Sequence, residues 1–209
     1  MKNDATLREE KLLERIEALE ARLATLERRE KERRSGAALG SYRVGYGNDL
    51  HRFTEGSSLR LGGVTIPYCA TLLGHSDADA LLHAIADAIL GGAGLSDIGE
   101  FFPDTAEENL GRDSVEILSL CAEEVARAGW RVVNLDCVVC AQRPKLGPLK
   151  KAMRDRIAAV LDLPPDCVSV KAKTGEHVGP VGRMEAIETF AVALLAPIES
   201  DPEKERDDA

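Results

Sequence analysis

The chain has 209 residues, 44% of them hydrophobic, which is enough for one sizeable folded domain with extensions. A net charge of −9 with no dense Lys/Arg stripe excludes nucleic acid as a main partner. No apolar run approaches the ~20 residues needed to cross a bilayer, and the charged, Glu-rich N-terminus is neither a secretory signal nor a transit peptide. No membrane partner and a cytoplasmic location are therefore expected. Five cysteines, at 69, 121, 137, 140 and 167, suit a reducing compartment with buried thiols. Cys137 and Cys140 have chelating spacing, but in a strand residues three apart face opposite ways.

Residues 1–36 are Leu, Glu, Arg and Ala with no Gly or Pro before Gly36, and read as a helix. Leu12, Ile16, Leu19, Leu23 and Leu26 are spaced as a heptad seam, and Arg15/Glu20 and Arg22/Glu27 would pair between parallel, in-register chains. A coiled coil is expected, with a single solvated charged helix as the alternative. Residues 37–41 are a linker, and the body begins at Tyr42. Arg43 to Phe53 reads as a strand in which Gly45 and Gly47 mark a bulge or a close backbone approach. Leu59 to Pro67 reads as a hairpin turning at Gly62-Gly63.

The body is organised around Gly74 to Thr105. Asp79 to Leu90 reads as a helix with Leu82, Ile85, Ala86 and Ile89 on a buried stripe. Ser76 and Asp77 are N-cap candidates, and Gly91 and Gly92 are candidate stops. Asp79, His83 and Asp87 share one face; the two aspartates suit packing or supporting roles better than ligation. Alone, His83 fits a hydrogen-bonded core histidine. The strand segment GNDLH changes that reading, because Asp49 and His51 alternate onto the same strand face. Asp49, His51 and His83 together make an open nitrogen and oxygen set suited to zinc.

Further along, residues 94–105 form an Asp-rich loop and Ser114 to Ala128 an amphipathic helix stopped by Gly129. Trp130 to Ala141 is a strand, Gln142 to Pro148 a loop and Lys150 to Leu161 a helix. Val168 to Thr174 is a strand and residues 175–183 are a glycine-rich loop. Glu185 to Leu195 is ambiguous, with strand favoured by its β-branched content. Residues 199–209 are an acidic tail with no core residues, expected to be disordered. The expected class is α/β or α+β: a two-layer sandwich with one sheet and helices on one face.

Four blocks now stand together: GNDLH, HSDADALLHAIADAILGGAGLSDIGEFFPDT, AQRPKLGP and KAKTGEHVGPVGR. In this order and spacing the chain resembles the 2-C-methyl-D-erythritol 2,4-cyclodiphosphate synthase family over residues 42–198. The resemblance implies a lyase of the non-mevalonate isoprenoid route. It implies a homotrimer with a mixed four-stranded sheet in each subunit and active sites at the subunit interfaces. The substrate would be a small molecule carrying a cytidine diphosphate group. The resemblance assigns zinc to Asp49, His51 and His83, and Mg2+ or Mn2+ to Glu176.

On the same basis His75 and Ser76 hold the migrating phosphate, with His75 and Thr174 in catalytic roles. Asp97, Ile98 and Gly99 hold the erythritol hydroxyls, and Phe102, Pro103, Asp104, Thr105 and Ala106 continue that wall. The cytidine pocket falls on Ala141, Gln142, Arg143, Pro144, Lys145, Leu146 and Gly147, and on Lys173, Thr174, Gly175 and Glu176. Pro180 and Arg183 fall near the threefold axis. Lys173 and Gly175 stand where many relatives have threonine, Pro180 where many have phenylalanine, and Ala106 where an acidic residue is common. A trimeric body would make the N-terminal seam a parallel three-helix stalk. A metal-dependent phosphohydrolase and a metal-stabilised scaffold are the alternative functions.

Overall fold

A computed structural model describes residues 42–198, together with Arg15, Ile16, Leu19, Arg22, Leu23 and Thr25. Those six are helical, as the N-terminal pattern predicts. The rest of the seam, the 37–41 linker and the tail from Glu199 lie outside the described residues, and with them the proposed stalk. The chain divides into two units after Tyr42, and the second carries the site.

That unit opens with strand β1 (Arg43–Glu55), hairpin strands β2 (Ser58–Leu61) and β3 (Val64–Pro67), and short β4 (Ala70–Leu72). Helix α1 (Ala80–Ala93), short α2 (Ile98–Phe101) and α3 (Ser114–Arg127) follow. Next come β5 (Trp130–Cys140), α4 (Lys150–Val160), β6 (Val168–Lys173), short α5 (Gly179–Gly182) and β7 (Ala186–Pro197). The main sheet has order β4-β1-β7-β5-β6, and only β5 and β6 pair in parallel. It has five strands rather than the expected four. The extra strand is β4, three residues pairing with the far end of β1 at Phe53 to Glu55, too short to show an alternating pattern. The ambiguous segment after Glu185 is central strand β7.

Burial alternates along the central strands. Gly45 and Gly47 of β1, Leu135, Cys137 and Val139 of β5, and Ile187, Thr189, Ala191, Ala193 and Leu195 of β7 face the helices and are buried. The opposite face is left with exposed apolar side chains, Val44, Tyr46, Leu50 and Val192 among them. Cys137 is buried and Cys140 is half-buried on the other face, so the pair does not converge.

Helix α1 is the central element of the helical layer. Leu81, Leu82, Ile85, Ile89 and Leu90 are fully buried, each worth ~1.5–3 kcal/mol of burial. The glycines of β1 are flat because α1 lies directly on them. A Cβ on Gly45 would sit 1.7 Å from the Ala88 carbonyl oxygen, and one on Gly47 2.1 Å from that of Ala84. The β1–β7 register runs unbroken from Arg43 to Arg52, so close approach, not a bulge, explains both glycines.

Two expected helix boundaries are corrected. The N-cap is Asp79, whose side chain accepts from Leu82 N, because Ser76 and Asp77 are turned towards other partners. Gly91 and Gly92 lie inside the helix, which ends at Gly94 in the left-handed region (φ 79°). Gly92 is small for packing: its Cβ would meet the Leu195 side chain at 2.8 Å.

Candidate active site

Two elements bring the metal-type ligands together. Strand β1 presents Asp49 and His51 towards the helical layer, and α1 presents His83 back towards the sheet. Asp49 Oδ2 lies 2.8 Å from His51 Nε2 and 3.0 Å from His83 Nδ1, and the two ring nitrogens are 3.3 Å apart. The three residues offer ligand atoms within 4.8 Å of one another. They are half-buried, so the cluster opens on one side.

The outward ring nitrogens decide what the inward ones can be. His51 Nδ1 sits 2.6 Å from the Leu73 carbonyl oxygen, which can only accept, so Nδ1 carries a hydrogen outward and Nε2 is the nitrogen that faces Asp49. His83 Nε2 is 2.9 Å from Ser114 Oγ and 3.0 Å from Ser76 Oγ. A metal-binding histidine characteristically donates its other ring N–H outward in this way. One inward nitrogen from each histidine converges on a carboxylate oxygen, and a divalent cation in place of the shared hydrogens would meet all three, so these residues fit a divalent metal.

Electrostatics agree with the geometry. Burial alone would raise the Asp49 carboxyl; hydrogen bonds and charge from His51 and His83 outweigh it and hold it far below the ordinary range. Burial would lower the His51 imidazole, yet the Asp49 contact leaves it raised. Asp79, which shares a helical face with His83, does not join the cluster. It is fully buried and accepts from Gly62 N (2.8 Å), Gly63 N (2.7 Å) and Leu82 N (3.1 Å), tying the hairpin turn to the start of α1. Burial nevertheless raises its carboxyl. Asp87 accepts from Ile98 N at 2.9 Å and anchors α2.

Beside the cluster lies a cavity of about 180 Å³ lined by His51, His75, Ser76, His83, Ile98, Gly99, Phe102 and Asp104, with Asn109 and Ile117. Asp97 caps α2 through Glu100 N and is exposed. Pro103 and Ala106 carry the wall onward through backbone: the Pro103 carbonyl accepts from Asn109 Nδ2, and the Ala106 carbonyl faces His75 Nε2 at 3.4 Å. Thr105 is exposed on the same loop. A larger hollow of about 540 Å³ lies at the far end, around Trp130 and Leu163, but no metal-type cluster lines it among the described residues.

The remaining predicted residues form a second group at the ends of β5 and β6. Ala141 N donates to Lys173 O at 2.9 Å, joining the Ala141–Gly147 loop to the Lys173–Glu176 turn. Lys145 and Arg143 are exposed, Arg143-Pro144 is cis, and Leu146 is buried beneath the loop before Gly147. Thr174 Oγ1 donates to Glu176 Oε1. Glu176 sits in the left-handed region (φ 48°), as does His177 (φ 62°). Gly175 packs against α5, where its Cβ would lie 2.4 Å from Gly182 N, which accounts for a residue smaller than threonine. Pro180 and Arg183 are exposed on α5, and Arg183 pairs with Glu185 at 2.8 Å.

Because β1, β5 and β6 run in one direction, both groups emerge at the same end of the sheet. They do not share a pocket: none of residues 141–147 or 173–176 lines the cavity beside His83. β7 and β5 stand between β1 and β6, a separation of ~14 Å at normal strand spacing.

Sequence reasoning missed Ser114, Asn109, the Leu73 carbonyl and His177, which contacts Gln142 Nε2 at 3.2 Å. Asp113-Ser114 reads as an ordinary helix start, and nothing local signals a contact 31 residues away with His83.

The model of the YgbB family matches residues 42–196. The 2-C-methyl-D-erythritol 2,4-cyclodiphosphate synthase of Chromobacterium violaceum is 57% identical over 155 residues, 74% of this chain and 98% of that protein. The synthase of the same name from Neisseria gonorrhoeae is 54% identical over 156 residues, 75% of this chain and 98% of that one. The solved CDP complex of IspF from Plasmodium falciparum is 36% identical with a TM-score of 0.67, covering 76% of this chain and 98% of that chain.

Proposed function

The chain belongs to the YgbB family, and we propose from that premise that it performs the reaction for which its relatives are named. It converts 4-diphosphocytidyl-2-C-methyl-D-erythritol 2-phosphate to 2-C-methyl-D-erythritol 2,4-cyclodiphosphate and CMP, a step of isoprenoid precursor synthesis. The observation that carries this assignment is the convergence of Asp49, His51 and His83 beside the small cavity of His75, Ser76 and Gly99.

The chemistry explains the absence of a nucleophilic triad from the proposed machinery. The nucleophile is the substrate's own 2-phosphate, whose second pKa of ~6 leaves it largely dianionic at neutral pH. Its oxygen bonds to the β-phosphorus, the bond from that phosphorus to the α–β bridging oxygen breaks, and CMP leaves with the electron pair. No water is consumed. The protein's task is to hold two anions together and to place them in line.

Zinc held by Asp49, His51 and His83, and Mg2+ or Mn2+ held by Glu176, would supply Lewis-acid polarisation and neutralise phosphate charge. His75 and Ser76 position the migrating phosphate by hydrogen bonding. Asp97, Ile98 and Gly99 hold the erythritol hydroxyls, with the Phe102–Ala106 wall excluding water. The Ala141–Gly147 loop and the Lys173–Glu176 turn hold the cytidine diphosphate, where Lys145 and Thr174 donate to developing charge on the leaving group. Fixing both ends of a flexible substrate is worth up to ~7–11 kcal/mol of effective molarity.

The unit of function is a homotrimer. Supporting this is the open sheet face, where Val44 (69% exposed) and Tyr46 (60%) stand in rows with Val192 and Phe190. Such a contiguous apolar face calls for a partner. A shared site also relieves the separation of the metal group from the nucleotide group, with Pro180 and Arg183 towards the axis. Unpaired cysteines suit a cytoplasmic location, and among the described residues no helix is long and apolar enough to cross a membrane.

Phosphorus NMR of the full chain with the diphosphocytidyl substrate and magnesium tests the assignment. Cyclic diphosphate and CMP are expected in equal amounts. Release of inorganic phosphate instead would make the protein a phosphohydrolase and overturn it.

A further inference from the structure

Ser114 is fully buried at the first position of α3, yet it does not cap that helix. Asp113 does, accepting from Val115 N at 2.8 Å. A buried hydroxyl must find partners or destabilise the fold, and Ser114 has two: Asp77 Oδ1 and His83 Nε2. Asp77 is itself held on both oxygens. Arg60 Nε donates to Oδ2 at 3.3 Å, and Asp79 N reaches Oδ1 at 3.3 Å. The Arg60 guanidinium is steadied in turn by Thr65 Oγ1 at 3.0 Å.

We propose that Asp77 and Ser114 are positioning residues that fix the tautomer of His83, an inference that rests on the metal reading of the site. A carboxylate has no proton to give, so the Ser114 hydroxyl hydrogen points to Asp77. The Ser114 oxygen then meets His83 with lone pairs only, and the hydrogen between them belongs to Nε2. With the Nε2 hydrogen committed to Ser114, Nδ1 is the nitrogen left for a metal, 3.0 Å from Asp49 Oδ2 and 3.3 Å from His51 Nε2. The direction of one hydroxyl, set three bonds from the centre, decides whether His83 ligates through Nδ1.

Ser76 is the rival partner at 3.0 Å, but it has no carboxylate to orient it among the described residues. Its hydroxyl hydrogen is therefore free for a phosphate oxygen while Ser114 holds the ring. The two serines that meet one imidazole nitrogen divide the work, Ser114 on the histidine and Ser76 towards the substrate.

The test uses the full chain with 15N-labelled histidine. There are four histidines, and His83→Ala assigns the resonance. In zinc-loaded wild type, His83 should carry its hydrogen on Nε2 and meet the metal through Nδ1. Asp77→Asn keeps the size but can present an N–H to Ser114, which turns the hydroxyl towards His83. That removes the acceptor for the Nε2 hydrogen, and the expected result is weaker zinc binding through Nδ1. Zinc affinity, read by chelator competition, should fall about 10–100-fold in Asp77→Asn and Ser114→Ala and be largely restored in Ser114→Thr. A hydrogen on Nδ1 in zinc-loaded wild type overturns the proposal, as does unchanged zinc affinity in Asp77→Asn. Failure of the wild type to bind zinc would overturn the metal reading separately.

Discussion

Replacing Gly47 with alanine should damage both the fold and the metal centre. The new Cβ would lie 2.1 Å from the Ala84 carbonyl oxygen and 2.8 Å from the Ala88 amide nitrogen. Both neighbours are backbone of α1, so no side chain can swing aside. Relief requires α1 to lift from β1 by about 1 Å, against an interior packed as densely as a crystal. Overpacking of this kind costs about 1–3 kcal/mol or more, which for a domain of this size lowers the melting temperature by roughly 2–12 °C. Ala84 directly follows His83, so the lift moves Nδ1 relative to Asp49. Metal sites tolerate about 0.2 Å in ligand distances, and zinc affinity should drop at least about tenfold. Thermal unfolding and chelator competition measure the two effects. Gly91→Ala is the control: its Cβ meets nothing within 4 Å, so it should stabilise by about 0.5–1 kcal/mol. Wild-type melting and zinc affinity in Gly47→Ala would refute the close-approach account of this strand.

His83→Ala should lose zinc while keeping its circular dichroism, because three converging ligands become two; full zinc occupancy on metal analysis would contradict the ligand set. Glu176→Gln should retain zinc but need more magnesium or manganese for turnover, and an unchanged metal titration would count against its role. Mixed trimers of inactive His83→Ala and inactive Lys145→Ala chains should recover activity, and none after verified subunit exchange would argue against shared sites. Asp79→Ala leaves three amides without an acceptor, costing about 3 kcal/mol by denaturant unfolding. Burial raises the Asp79 carboxyl, so its contribution is full below the unfolded value of ~3.9 and declines as pH rises through the folded one. The gap to Asp79→Ala should therefore narrow from acid to neutral pH, and a gap that widens would reverse the sign of that coupling.

The cluster of Asp49, His51 and His83 was legible because each member rests on a periodicity. Asp49 and His51 alternate on a strand, and His83 is one of the few polar residues on an otherwise apolar, almost fully buried helix. The hairpin was legible because Gly62-Gly63 is a turn signal, and both glycines do have positive φ. What failed to show was whatever depends on a distant partner. Asp79 looks like a face-mate of His83, and only the structure reveals that its carboxylate is consumed by the hairpin amides. Gly92 looks like a helix stop, but it is a packing residue against Leu195, more than 100 positions later. β4 is three residues without a pattern and is a strand only because it pairs with the free edge of β1 at Phe53 to Glu55. Local rules describe what a segment prefers, and these three cases are settled by what the segment meets.

The placement of the two residue groups follows from strand direction. β1, β5 and β6 point the same way, and the candidate residues lie within or just beyond the later part of each: Asp49 and His51 in β1, then Gln142 to Gly147, then Thr174 and Glu176. Antiparallel β7 lies between β1 and β5 and contributes Thr189, which is fully buried and donates to the Ala80 carbonyl at the start of α1 at 2.8 Å. A rigid sheet therefore holds both groups at one end yet keeps them strands apart. A reaction that closes a ring between two phosphates needs its anion-binding groups within one substrate's length. Folding of one chain supplies each half in a fixed geometry, and in the proposed homotrimer association through the apolar sheet face would bring unlike halves together. On this account the exposed Val44, Tyr46 and Val192 belong to catalysis as much as His83 does. A charged residue at Tyr46 should abolish activity by dispersing the trimer while leaving the zinc ligands of each chain intact. A monomeric Tyr46→Asp protein that still turned over at the wild-type rate would show that one chain is sufficient.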